Sequence, residues 1–425
     1  MKTCRQVFIL IVLVLVFSDG RAQLDNVKLQ IHGFLSQGYV KTDKNNFLTM
    51  NTEKGSFEFN EAGINFSIQL GSKLRAGFQL FSKDLGREGN NNIILDWGYG
   101  DYHWHDYLGI RLGRIKTPEG LYNETRDIDA LRPTIFLPQS VYDEGMKDPV
   151  FAYQGLGLYG NLPLGSVGDL DYDLYGGTFN VPDPDAGYWN TTNYYLIEGF
   201  KNVIIEEAGM PISPSVDVVK SYVRGNWIVG GALKWNTPLD GLRLAGSILF
   251  ADLNMLNKVQ IIVPINLSPE LALSYVENRS VQVNVEVRNN YVLSAEYHIG
   301  PFTAAGEYFS TKYLVTVPGY VETQNYYLDG WYGWLTWQIN SYWSLSSYYS
   351  ESHDDDRYRV TQVEPDHIYW LRDTALALRC NIKPNWNIKL EGHYMDGGYH
   401  LGIRENPEGR KRFWNMLAVK TSFYF

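Results

Sequence analysis

The chain of 425 residues has two cysteines, Cys4 and Cys380, and Cys4 sits in an N-terminal segment with the marks of a removable leader. A single remaining thiol excludes an internal disulfide and argues against a cysteine-ligated metal site. Long apolar runs are also missing. Beyond Phe17 nothing approaches the ~18–20 apolar residues that a membrane-spanning helix needs. Cationic excess is absent too: 37 Lys and Arg stand against 47 Asp and Glu, a net charge of −10, which disfavours nucleic acid as a partner. Neither a phosphate-cradling glycine loop nor a nucleophile elbow occurs, and no catalytic function, metal or cofactor is expected. Fixed-period repeats and Pro/Ser-rich linkers are lacking, so one domain is expected after the leader.

The leader is explicit. Lys2 and Arg5 precede the apolar run Val7 to Phe17, and Gly20 and Ala22 supply small residues for cleavage. This predicts a secretory signal over residues 1–22 and a mature chain over 23–425. Loss of Lys2, Arg5 and Arg21 against Asp19 takes the charge from −10 to about −12. What is plentiful is aromatic residues and glycine: 31 Tyr, 19 Phe, 12 Trp and 40 Gly. That mixture suits a barrel with an apolar exterior, a wet interior and aromatic rims, although a secreted carbohydrate-binding β-protein shares it.

Alternation separates the two. Val281, Val283, Val285, Val287, Tyr291, Leu293, Ala295, Tyr297 and Ile299 share one parity, with Gln282, Asn284, Glu286, Arg288, Asn290, Ser294, Glu296 and His298 on the other. The run is far longer than the ~5–6 residues of an ordinary strand, and its polar row carries ionisable groups that a dry core would reject. Ala62 to Leu70, Leu74 to Leu80, Val223 to Trp235 and Trp386 to Tyr394 repeat the code. Short joints are expected at Gly71-Ser72, His105-Asp106, Asn161 to Gly168, Pro238 to Gly241, Gly300-Pro301, Asn340-Ser341 and Lys383 to Asn385. Longer polar stretches separate them: Asp43 to Gly55, Leu85 to Asn90, Pro118 to Pro149, Pro182 to Ser215, Asn254 to Arg279, Val317 to Thr323, Asp354 to Pro365 and His400 to Arg410. These predict an all-β transmembrane antiparallel barrel of about sixteen strands, with turns at one end and loops at the other. Ile64, Phe66, Val283, Val285, Leu390 and Leu417 are expected to face lipid or a neighbouring subunit.

The last strand is the sharpest element. Leu417, Val419, Thr421, Phe423 and Phe425 alternate with Lys420, Ser422 and Tyr424 to the final residue. A sheet that must leave no free edge needs such a strand, and it resembles the closing strand of bacterial outer-membrane barrels. The third long stretch adds to this. Gly113-Arg114, Lys116-Thr117-Pro118, Gly120-Leu121-Tyr122, Asn123-Glu124-Thr125-Arg126-Asp127 and Arg132-Pro133 resemble trimeric Gram-negative porins, with a distant similarity to the phosphate-selective group. The resemblance implies a homotrimer in the outer membrane, among lipid and lipopolysaccharide, passing small hydrophilic solutes. It implies that the third loop folds inward to a constriction carrying Arg126, Asp127, Asp129 and Arg132. The apolar Ile128, Leu131, Ile135, Phe136 and Leu137 agree, since an outward loop would leave them in water. Parity places Arg75, Arg111, Arg224, Lys234, Arg243, Arg288, Arg379 and Lys389 on the pore wall as cations, and Glu286, Glu296 and Glu391 among its anions. Two functions remain open: a passive diffusion channel, or a substrate-specific channel for anions or dicarboxylates with a saturable internal site. Arg114 falls on the lipid parity, which predicts a bulge or an interface there.

Overall fold

The computed structural model describes residues 28–147, 152–179, 205, 215–268, 271–319, 321–354 and 366–425. Period-two segments become strands β1 (Leu29–Thr42), β2 (Asn60–Gln69), β3 (Leu74–Asp84), β4 (Ile94–His105) and β5 (Leu108–Lys116). After the third loop come β6 (Ala152–Pro163), β7 (Asp169–Phe179), β8 (Ser215–Asn236), β9 (Leu242–Ser268) and β10 (Leu271–Ile299). The remainder is β11 (Phe302–Val317), β12 (Val321–Gln338), β13 (Trp343–Asp354), β14 (Trp370–Lys383), β15 (Trp386–Gly397) and β16 (Phe413–Tyr424). Each strand pairs antiparallel with its sequence neighbours, and β16 pairs with β1 to close the ring. Closure satisfies both edges, so no ladder of backbone groups is left for lipid. Its register runs from Phe34 opposite Tyr424 to Thr42 opposite Met416, and Gly33 and Phe425 exchange backbone bonds of 3.1 and 3.0 Å below it.

The closing strand follows its alternation. Leu417, Val419 and Phe423 are exposed on the outer face, while Trp414, Met416, Ala418, Lys420 and Ser422 are buried on the inner one. Ile64 and Leu390 are likewise exposed outward. Trp104, Tyr107, Phe302, Trp337, Tyr342 and Trp343 form an exposed aromatic rim around the short-turn end, where Phe302 stacks on Trp337. His103 and His105 belong to this rim, His105 stacking on Tyr107 at 4.8 Å.

Three expectations require correction. Asn254 to Arg279 is not a loop: β9 and β10 stay paired from Leu242 opposite Tyr297 to Ser268 opposite Leu271. Apolar residues occur on both parities there (Met255, Val259 and Ile261 beside Leu256 and Ile262), which hides the period in the sequence although β-branched side chains favour a strand. Val317 to Thr323 is likewise mostly strand, belonging to β11 and β12. The third correction concerns Val283 and Val285. The β10 register slips between Val287 and Asn289 against β11, and between Val287 and Asn290 against β9. One extra residue reverses every side chain beyond it. Below the bulge Leu293 faces out and Ser294 and Glu296 face in; above it Val281 and Val283 are only 1 and 2% exposed and join an inner apolar cluster against which Val285 packs. Residues 1–27, and most of the expected loops Pro182 to Ser215 and Asp354 to Pro365, lie outside the described residues.

Candidate functional site

The loop that follows β5 enters the lumen, and its first turn shows why. Gly120 has φ +59°, and a Cβ there would lie 2.5 Å from the Tyr142 hydroxyl and 2.7 Å from Glu307 Oε1. Only glycine fits that approach. Glu307, on the inner face of β11, accepts from the Leu121 amide at 2.8 Å and from the hydroxyls of Tyr142, Ser294 and Tyr332. Tyr142 in turn accepts from the Tyr122 amide at 2.9 Å. Tyr122 donates its hydroxyl to Glu296 at 3.0 Å, and Arg243 pairs with the same carboxylate at 2.7 Å. One end of the loop is thereby tied to β9, β10, β11 and β12.

The middle is tied across the barrel. Asp129 lies in a 3-10 turn, Asp129–Leu131, and meets Lys389 of β15 at 2.9 Å and Lys420 of β16 at 3.6 Å. Lys389 also donates to the Asp129 and Thr134 carbonyls at 2.6 and 3.1 Å. Arg132 is 3.3 Å from Asp129 and 3.6 Å from Glu61 of β2, which receives Lys420 at 2.5 Å and Lys147 at 3.6 Å. Arg379 of β14 donates to the Ala130 and Arg132 carbonyls at 2.9 and 3.1 Å. Glu391 accepts the amides of Ile135 and Phe136. Phe136 stacks on Phe59 at 5.1 Å and meets Phe47 edge-on at 5.5 Å, completing an apolar plug under the first loop. Leu131 departs from the expectation and stays 61% exposed.

Electrostatics favour the charged clamp. Burial raises the Asp129 carboxyl, but Lys389, Lys420 and Arg132 outweigh it and hold it well below the usual carboxylate range. Glu144 behaves alike: burial is overcome by Arg126, Lys147 and Arg132, and its pKa falls to about 2. Burial pushes the Glu119 carboxyl up, and neither a hydrogen bond from Asn290 nor the charge of Arg126 offsets it. The Asp129 and Glu144 charges are tolerated because each meets buried cations.

All four loop charges read from the sequence lie inside the barrel, yet Arg126, Asp127, Asp129 and Arg132 are 2, 0, 2 and 4% exposed. Arg126 pairs with Glu144 at 3.4 Å and donates to the Tyr142 and Asp143 carbonyls. Asp127 takes Lys116 at 2.7 Å and Gln79 at 2.5 Å. On the wall, Arg75, Arg111, Lys234, Arg243, Glu296, Arg379, Lys389 and Glu391 meet partners on the inner face or the loop. Arg224, Glu286 and Arg288 do not. A register shift between Gly225 and Trp227 turns Val223 toward the inner cluster and Arg224 outward. The β10 bulge does the same to Glu286, which pairs with Arg288 at 3.0 Å on the outer face. Neither slip leaves a proline or glycine signal unlike those elsewhere in the chain. Within β5 the register is continuous at Arg114, whose Nε donates to the Asp96 carbonyl at 2.7 Å, and the bulge lies instead at Asp96 in β4. Lys116, Glu124, Tyr122, Tyr142 and Lys147 are loop partners that the sequence alone does not mark. Lys420, another, was findable, because it stands on the polar row of the last strand.

Below the loop the wall is wetter. Arg75, Arg111, Lys234 and Arg243 keep partial exposure, matched by Asp101 at 2.9 Å, Asp173 at 3.7 Å, Glu124 at 2.9 Å and Glu296 at 2.7 Å respectively. Each strand end that carries one of these cations lies near a short turn. The arrangement can order water and polar solutes between the loop and the wall of β3 to β10.

Against known proteins, no family model and no curated protein matches the chain. Solved structures do. The chain is similar over 95% of its length to the outer membrane channel DcaP of Acinetobacter baumannii, covering 99% of that chain at TM-score 0.54 and 8% identity. It is similar over 94% to a loop L8 deletion mutant of OmpT, an outer membrane protein of Vibrio cholerae, covering 100% at TM-score 0.53 and 9% identity. An anion-selective porin from Comamonas acidovorans is similar over 94%, with 100% of that chain covered, TM-score 0.51 and 11% identity. Likeness at such identities is likeness of fold. The chain has the closed sixteen-stranded β-barrel fold of these outer-membrane proteins.

Proposed function

We propose that the protein is an outer-membrane channel for passive diffusion of small hydrophilic solutes and ions, with the third loop setting its narrowest section. The observation that carries this is the loop itself, bound to inward side chains on opposite walls of a sixteen-stranded ring wide enough for an aqueous channel. Selection at a constriction, rather than bond chemistry, is what such a site does. Arg126, Asp127, Asp129 and Arg132 act on permeation by fixing the loop, since their charges are spent on the wall and on each other. The half-exposed Arg75 and Arg243, with Arg111, Lys234 and Glu124, are the charges a passing solute meets.

Residues 1–22 are the export signal in this reading, and residues 23–425 form the channel among lipid and lipopolysaccharide, assembled as a homotrimer like the porins it resembles. A substrate-specific channel for anions or dicarboxylates is favoured by one feature, the row of four wall cations below the loop. Planar-bilayer recordings decide between them. Passive diffusion predicts a conductance that rises in proportion to salt and is not blocked by dicarboxylates or phosphate; saturable block supports the specific channel. Failure of the purified, folded protein to conduct at all contradicts both.

A further inference from the structure

His393 is buried on the inner face of β15, and both of its ring nitrogens face carboxylates. Nδ1 lies 3.0 and 3.1 Å from the two oxygens of Asp373 on β14, and Nε2 lies 2.8 Å from Glu391 Oε1. A neutral imidazole has one donor, so it can serve only one of these acceptors; the imidazolium serves both. Asp373 has one further donor among the described residues, the Tyr348 hydroxyl at 3.1 Å. Glu391 has the two loop amides, Ile135 and Phe136, and among the described residues no second cation within an ion-pair distance. The neighbouring Lys389 is committed to Asp129. The imidazole is also enclosed by rings, meeting Phe136 and Tyr348 edge-on at 6.1 Å each. Two buried carboxylates thus share one countercharge, and one of them holds the backbone of the loop.

We infer that His393 is a positioning residue for the third loop: as a doubly donating imidazolium it holds Glu391 in the orientation that binds the Ile135 and Phe136 amides. It touches no solute, and acts through Glu391. Its charge is what matters, because without it Asp373 and Glu391 repel each other in a dry site and Glu391 must turn away or take up a proton. Either change loosens the segment from Thr134 to Leu137 while leaving the barrel ladder intact.

The inference rests on the channel reading for its consequence, but its test does not. Amide hydrogen exchange is followed by mass spectrometry on the full folded barrel in detergent. His393→Gln is expected to speed exchange across residues 134–137 by at least ~tenfold, as loss of a buried pair requires, while the β1–β16 ladder exchanges as in the parent. His393→Gln with Asp373→Asn, which removes one of the two repelling charges, is expected to recover most of the protection. Unchanged exchange in His393→Gln overturns the inference, and so does equally fast exchange in the double variant. Should His393→Gln fail to fold, Asp373→Asn alone serves: it relieves the shared demand on His393, so protection at residues 134–137 is expected to hold or rise, and a fall overturns the idea. In bilayers, more frequent brief openings of His393→Gln are the matching result. A parent protein that does not conduct sinks the channel reading and leaves the exchange result standing on its own.

Discussion

Asp129 concentrates the residue-scale argument. Replacing it by Ala leaves Lys389 buried without its countercharge, while Lys420 keeps Glu61, and breaking a buried pair in this way costs ~3–5 kcal/mol. Asp129→Ala is therefore expected to release the middle of the loop, read as faster proteolysis within residues 120–147 and noisier single channels. The pH dependence has a definite sign. Asp129 and Glu144 have folded pKa values below their ordinary ones, so the stability they lend is present above about pH 4 and is lost as pH falls through the folded values, about 2 for Glu144. The clamp is expected to persist at pH 5 and to loosen only in strong acid; loop protection that disappears between pH 7 and 5 contradicts this. Gly120 offers a steric counterpart. Gly120→Ala adds the left-handed penalty of ~1–2 kcal/mol and a clash with Tyr142, and should displace the start of the loop. Arg126, Asp127, Asp129 and Arg132 came from the porin resemblance as constriction charges, and the structure buries all four against the wall and the loop. Which wall groups they meet was not legible, because Lys389 lies 260 residues from Asp129 and only the folded ring brings it, Lys420 and Glu61 near the loop.

Single strands show where the alternation code holds and where it breaks. It held through β16, β2 and the lower half of β10, because lipid on one side and polar groups on the other enforce a strict period of two. It broke at the slips beside Arg288 and Gly225, since a bulge adds one residue without altering composition and inverts all that follows. Site-directed labels can check the inversion: a cysteine at 284, in a chain with Cys380→Ser, should react with a thiol reagent too large to enter the barrel, whereas one at 283 should be protected. Protection of 284 from the large reagent would restore the original parity. Leu390→Arg and Leu417→Arg, on the lipid face, should cost ~2–4 kcal/mol near mid-bilayer in unfolding titrations. Deleting Phe425 removes its two backbone bonds with Gly33, and assembly is expected to slow.

At the scale of the whole molecule, strand count and closure were legible from turn spacing and the terminal strand, and the inward loop from its apolar Ile135, Phe136 and Leu137. The height of β8 to β10 was not, because neither face above the bulges has a uniform character. The central claim is that the third loop, anchored on both walls, narrows an otherwise wide channel. Single-channel conductance in planar bilayers tests it most directly, comparing the parent with a variant whose residues 121–146 are replaced by a short Gly/Ser connection. The account predicts a conductance several-fold higher in the variant, with weaker ion preference. Equal conductance in the two would contradict it.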